Sequence, residues 1–161
     1  MQPSILGSMD PALDETRLGA WKSFLRSYRA LIDVLEDELR CAQGLPLTWF
    51  DVLAQLHSSP GHRLRMKDLA DSIVLSKSGL TRVMDRMVAA GLVTRESCTW
   101  DRRSYEAVLT PEGERAFEQA ATVHLDGIRR HFSSRLSDDE ALELAQTLGK
   151  LLHPAPTPSW Q

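Results

Sequence analysis

The chain has 161 residues, 42% of them hydrophobic and 25% charged, with a net charge of −3. This is ordinary globular composition, long enough to bury the core of one domain, and it excludes a disordered or collagen-like polypeptide. No apolar run is long enough to span a bilayer, residues 1–9 lack the pattern of a secretory signal, and two cysteines, Cys41 and Cys98, are too few for a disulfide framework, so no membrane partner is expected and a reducing cytoplasm is.

The charge is unevenly distributed. Residues 63–103 carry nine Lys and Arg against five Asp and Glu, a net +4, whereas residues 1–62 are at −3 and residues 104–161 at −4. A basic middle on acidic flanks is the layout of a nucleic-acid-contacting segment held on a scaffold that makes no such contact.

Residues 1–12 and 153–161 read as tails, the second of them rich in proline. From Glu15 to Ala42, the residues Trp21, Phe24, Leu25, Tyr28, Leu31, Ile32, Leu35 and Leu39 recur at three- and four-residue steps, which predicts an amphipathic helix. At about 40 Å it outruns a small core, so part of its stripe is expected to meet another chain. Gly44 and Pro46 end it. Thr48 with Asp51 resembles a capping box for a second helix carrying Trp49, Phe50, Leu53 and Leu56, closed by Ser58-Ser59-Pro60-Gly61.

A third helix fits Met66–Ile73, with a short strand possible near Leu64. Ser76 is a good N-cap for a fourth helix, in which Leu80, Val83, Met84, Met87 and Val88 form the inward stripe and Gly91 the C-terminal stop. Its other face, with Lys77, Ser78, Thr81, Arg82 and Asp85, is polar and basic. Two strand-like runs follow, Leu92–Ser97 and Tyr105–Thr110, around a tip holding Asp101, Arg102 and Arg103. Thr110-Pro111 caps a long helix to about Leu136, and Ser137 with Glu140 opens a last one.

This order predicts a mainly α fold with a small β-hairpin wing: a winged helix-turn-helix. A major groove admits one helix, whose leading residues reach base edges and phosphates, and arginines at a hairpin tip suit the adjacent narrow minor groove. The expected contacts are Ser76, Lys77, Ser78, Thr81, Arg82 and Arg86 from the helix and Asp101, Arg102 and Arg103 from the wing, with Arg82 open to either a guanine or a phosphate.

Residues 66–113 resemble the DNA-binding core of the MarR (multiple-antibiotic-resistance regulator) family. The resemblance rests on Asp68-Leu69-Ala70, on the run Ser76 to Met87, on Gly91-Leu92-Val93-Thr94-Arg95, and on Asp101-Arg102-Arg103 leading into Val108-Leu109-Thr110-Pro111-Glu112-Gly113. It implies one domain over about 13–152, with the winged module at about 47–110 flanked by dimerisation helices at about 13–43 and 111–152. It further implies a cytoplasmic bacterial or archaeal homodimer on a pseudo-palindromic operator in double-stranded DNA, most simply a repressor released by a small aromatic or anionic effector. Asp101 matches the family's acidic wing residue, for which Arg95 or Arg65 is the candidate partner.

Leu18, Trp21, Phe132, Leu148, Leu151 and Leu152 are the expected dimer residues. An effector pocket is expected among the first, second and fifth helices, with Phe24, Tyr28, Trp49, Leu53 and His124 as candidates. His57 and His62 flank a loop and His124 and His131 lie seven apart, but no H-x-x-x-H or H-E-x-x-H spacing occurs, so no metal site or cofactor is expected. No nucleophile elbow, phosphate loop or dinucleotide fingerprint occurs either, so neither an enzyme nor a catalytic residue is expected. The alternatives are a redox- or metal-responsive sensor on the same scaffold, the former through Cys98 beside its arginines, and a winged-helix protein-interaction module without DNA binding.

Overall fold

The computed structural model describes residues 14–73, 77–97 and 105–152. Among the described residues, six helices and a three-stranded sheet follow one another as α1 (Glu15–Gln43), α2 (Leu47–Ser58), β1 (Arg63–Arg65), α3 (Met66–Ser72), α4 (Lys77–Ala89), β2 (Val93–Ser97), β3 (Tyr105–Leu109), α5 (Pro111–His131) and α6 (Asp138–Leu152). The order anticipated from periodicity and caps is the one found, including the short strand around Leu64. No helix among the described residues is long and apolar enough to cross a membrane.

Local chemistry sets most boundaries. Asp14 accepts the Arg17 amide at 2.7 Å and starts α1, and Gly44, at φ 64°, stops it. Thr110 caps α5 through the Gly113 amide at 3.0 Å, with Pro111 in the first turn. At α6 the reciprocal box forms: the Glu140 carboxylate accepts the Ser137 amide at 2.9 Å, and Ser137 Oγ accepts the Glu140 amide at 3.3 Å.

Two boundaries differ from expectation. The Thr48–Asp51 box does not form, because Pro46 occupies the N-cap position and no side chain of α2 caps the helix. Glu36 of α1 does so instead, its carboxylate accepting the Leu47 amide at 2.6 Å. The fifth helix ends at His131 rather than near Leu136, giving way to a 3-10 turn over Ser133–Arg135. There the Ser134 hydroxyl donates to the Arg130 carbonyl at 3.0 Å, a local bond that competes with helix continuation.

The core lies where α2, α3 and α4 meet the sheet and the inner faces of α1 and α5. Leu39, Val52, Leu53, Leu56, Leu69, Met84, Met87, Ala107 and Ala120 are fully buried there. The strands are antiparallel in the order β1-β3-β2, with Leu64 opposite Ala107 and Arg95 opposite Ala107 on the other side. Arg63 bridges Glu96 and Glu106, both at 3.3 Å, so one guanidinium straps all three strands. At the carboxyl end of the sheet, Thr110 Oγ1 also donates to the Gly91 carbonyl at 2.7 Å, tying the start of α5 to the turn after α4.

Only Leu35 and Leu39 of α1 are buried, both in its C-terminal half. Trp21, Phe24, Leu25 and Tyr28 of its N-terminal half are exposed, as are Leu142, Leu151 and Leu152 of α6. No residue of α6 is buried.

Half-buried His124 of α5 rests against Phe50 with ring centroids 4.5 Å apart, and burial lowers its pKa from the ordinary 6.5. The fold therefore favours the neutral ring. Between the lowered native value and about 6.5 the unfolded chain binds more protons, so this stabilisation is complete above that range and lost as the pH falls through it. Replacing His124 by Leu is expected to shrink the drop in Tm between pH 7.5 and pH 5; an unchanged drop would refute the assignment.

Candidate nucleic-acid interface and effector cleft

Helix α4 is amphipathic in the sense a groove-binding helix requires. Leu80, Met84 and Met87 are buried, whereas Thr81, Arg82, Asp85 and Arg86 are exposed. Lys77 and Ser78 occupy its first turn, but their side chains, like Ser76 and the wing tip with Asp101, Arg102 and Arg103, lie outside the described residues.

The hairpin is fastened to this helix by Arg95 of β2. Its guanidinium donates to Asp85 Oδ1 at 2.6 Å and reaches the Thr81 carbonyl at 3.4 Å. Arg95 was a candidate partner for Asp101; among the described residues its carboxylate partner is Asp85. The pair neutralises the acidic residue on the outward face of α4, leaving the cations Arg82 and Arg86 to set its sign. Sequence spacing did not reveal this pair, because the two residues meet only once the hairpin folds back.

Behind α4 opens a cleft of about 700 Å³. Its walls are Tyr28, Ile32, Asp33, Glu36 and Arg40 of α1, the first two turns of α2 with Trp49 and Asp51, Ser72 and Ile73 by the end of α3, and Val83 and Arg86 of α4. Glu36 is ion-paired with Arg40 on one oxygen while capping α2 with the other. Burial, and then the nearby Glu36 charge, raise the pKa of Asp51.

Of the five residues singled out for a pocket, Tyr28 and Trp49 line this cleft. Phe24 lies one turn before Tyr28 on α1, its ring 6.5 Å from the Tyr28 ring. Leu53 is fully buried in the core, and His124 faces Phe50 on the α5 side. The cleft is bounded by α1 to α4 and not by α5, whose inner face is spent on α1 and α2, with Phe117 stacked on Phe50 at 5.5 Å. Arg86, expected among the DNA contacts, borders the cleft.

Of the six expected dimer residues, Trp21, Phe132, Leu151 and Leu152 are exposed large hydrophobics, and Leu18 and Leu148 are half-buried. At the far end of α1, Glu38 joins that helix to α5 by accepting from Arg130 at 3.0 Å and meeting His131 at 2.8 Å. The His131 contact, with Arg130 adding, holds the Glu38 carboxyl below its usual range.

A sequence model of the MarR family matches residues 43–104, the stretch from the end of α1 to just before β3. AbsC, a MarR family transcriptional regulator of Streptomyces coelicolor, is 37% identical and superposes with a TM-score of 0.81 over 87% of this chain and 94% of its own. The chain belongs to the MarR family. Sco3205 of the same organism, a MarR family transcriptional regulator solved in complex with DNA, is 29% identical, with a TM-score of 0.82 over 89% of this chain and 95% of its own. The likeness thus runs beyond the winged module into the flanking helices. Bordetella bronchiseptica BpsR, whose DNA binding is regulated by 6-hydroxynicotinic acid, shares the MarR fold at 18% identity and a TM-score of 0.74, covering 84% of this chain and 99% of its own.

Proposed function

We propose that this MarR-family chain is a homodimeric, cytoplasmic repressor that reads a pseudo-palindromic DNA operator and releases it when a small aromatic or anionic molecule occupies the cleft behind α4. The outward face of α4 carries this reading. A helix buried on one side through Leu80, Met84 and Met87 and presenting Thr81, Arg82 and Arg86 on the other is shaped and charged for a major groove. The hairpin pinned by Arg95 keeps the wing in step with it. Ser76, Lys77, Ser78, Arg102 and Arg103 complete the proposed contact surface, with Asp101 steadying the tip.

Dimerisation supplies the second half-site. The exposed apolar residues of α1 and α6 suit a self-complementary seam through Leu18, Trp21, Phe132, Leu148, Leu151 and Leu152, and a two-fold dimer places two reading helices about one turn of duplex apart. Effector control follows from the position of the cleft, which touches both α1 and α4. A ligand held between them favours one relative placement of scaffold and reading helix, and about 1.4 kcal/mol of such preference changes operator affinity tenfold. Tyr28 and Trp49 offer ring faces, and Arg86 offers a cation for an anionic substituent.

Fluorescence anisotropy with duplexes selected from a random pool tests the reading. Affinity is expected to fall steeply with salt as phosphate counterions return. Arg82→Ala is expected to weaken binding about 10- to 100-fold, on the order of 1–3 kcal/mol, while sedimentation shows an intact dimer. Binding indifferent to both salt and Arg82 would leave a winged-helix interaction module instead.

A further inference from the structure

We propose that His57, His62 and Glu114 form a binding site for a divalent first-row transition-metal ion of the zinc class. The three come from separate elements: the last turn of α2, the turn before β1, and the first turn of α5. One ligand atom from each, a ring nitrogen from either histidine and a carboxylate oxygen from Glu114, all lie within 4.8 Å of one another. Donors about 2.1 Å from one tetrahedral zinc ion stand about 3.4 Å apart, so small side-chain rotations close the site.

Two further observations point the same way. Among the described residues, the Nδ1 atoms of His57 and His62, like that of His124, are sealed from water and have no hydrogen-bond partner, a costly state for a polar atom and one that a cation bound between the first two relieves. His62 also holds a positive φ of 54° directly after Gly61 at 66°, and this left-handed turn brings its ring to 5.3 Å from that of His57. Phe117 closes over His57 at 4.5 Å, and Arg115, the neighbouring cation on α5, is ion-paired with Glu112.

The donor set selects the metal. Two imidazoles and one carboxylate suit zinc and its neighbours, whereas calcium and magnesium take oxygen ligands, and a water molecule completes the fourth position. The bound ion ties the end of α2 and the lead into β1 to the first turn of α5. It thereby braces the base of the winged module against the long C-terminal helix.

The test uses the full chain, stripped of metal by chelator and dialysis and then titrated with zinc against a chromophoric competitor. Wild type is expected to take up one zinc per chain and to gain thermal stability on doing so. His62→Asn, which tolerates the left-handed backbone, and Glu114→Gln, which is isosteric, are each expected to lose both effects while keeping the wild-type circular dichroism. The substitutions lie on different elements, so either one decides the matter if the other fails to fold. Cobalt(II) adds a spectroscopic arm, with weak visible bands expected from nitrogen and oxygen donors and absent in the variants. No stoichiometric zinc, variants that bind as well as wild type, or intense thiolate charge-transfer bands from Cys41 or Cys98 would each overturn the proposal.

Discussion

Replacing Gly113 by alanine is expected to destabilise the chain by at least about 3 kcal/mol, lowering Tm by roughly 6–12 °C. The reason is a close backbone approach. A methyl group built on Gly113 lies 2.0 Å from the carbonyl oxygen of Leu92 and 2.9 Å from Leu109 Cδ1. The first of these is main chain and cannot swing aside. Leu92 opens the turn into β2, and its carbonyl also accepts the Thr110 amide at 3.2 Å, so the methyl forces apart a junction stitched by Thr110 on both sides. Urea and thermal unfolding at equal chain concentration measure the loss. Thr110→Val, which removes the cap without crowding, is expected to cost about 1 kcal/mol. An alanine variant within 2 °C of wild type would show the junction to be looser than its geometry.

A second large effect is expected from placing charge on α6. The Leu148→Glu, Leu151→Glu double variant is expected to sediment as a monomer and to lose operator affinity by about 10²- to 10⁴-fold, the usual gain from linking two binding modules. The helix carries no buried residue, and Leu151 is 69% exposed within one chain. Its 15 residues are at the length where an isolated helix is marginal in water, so the contacts of the proposed dimer are expected to hold it. Helicity is therefore expected to fall by about the content of α6, while the winged module keeps its near-ultraviolet spectrum. A variant that remains dimeric would move the seam off this face.

The success and failure of the sequence reading separate by distance along the chain. Thr110-Pro111 and Ser137–Glu140 were legible because a cap is a contact between residues three apart. The cap on α2 was not, since its oxygen comes from Glu36, eleven residues upstream, after the chain has turned through Gly44 and Pro46. The faces of α4 were legible from helical periodicity alone. Periodicity identifies an inward face but not what lies opposite it, which is why Leu53 and His124, chosen on the same grounds as Tyr28 and Trp49, sit in the core and against Phe50. The cluster of His57, His62 and Glu114 was half visible: the two histidines flank one loop in the sequence, but no short spacing links them to a carboxylate that arrives with α5.

The carboxylate of Glu36 spans two jobs, and this gives the cleft a sensitivity that shape alone would not. An anionic guest that draws Arg40 away from this side chain leaves Glu36 fastened to the Leu47 amide alone, so its arrival is felt at the opening turn of α2. The winged module would then register the arrival of that guest through its own backbone, before any rigid-body motion of the reading helix.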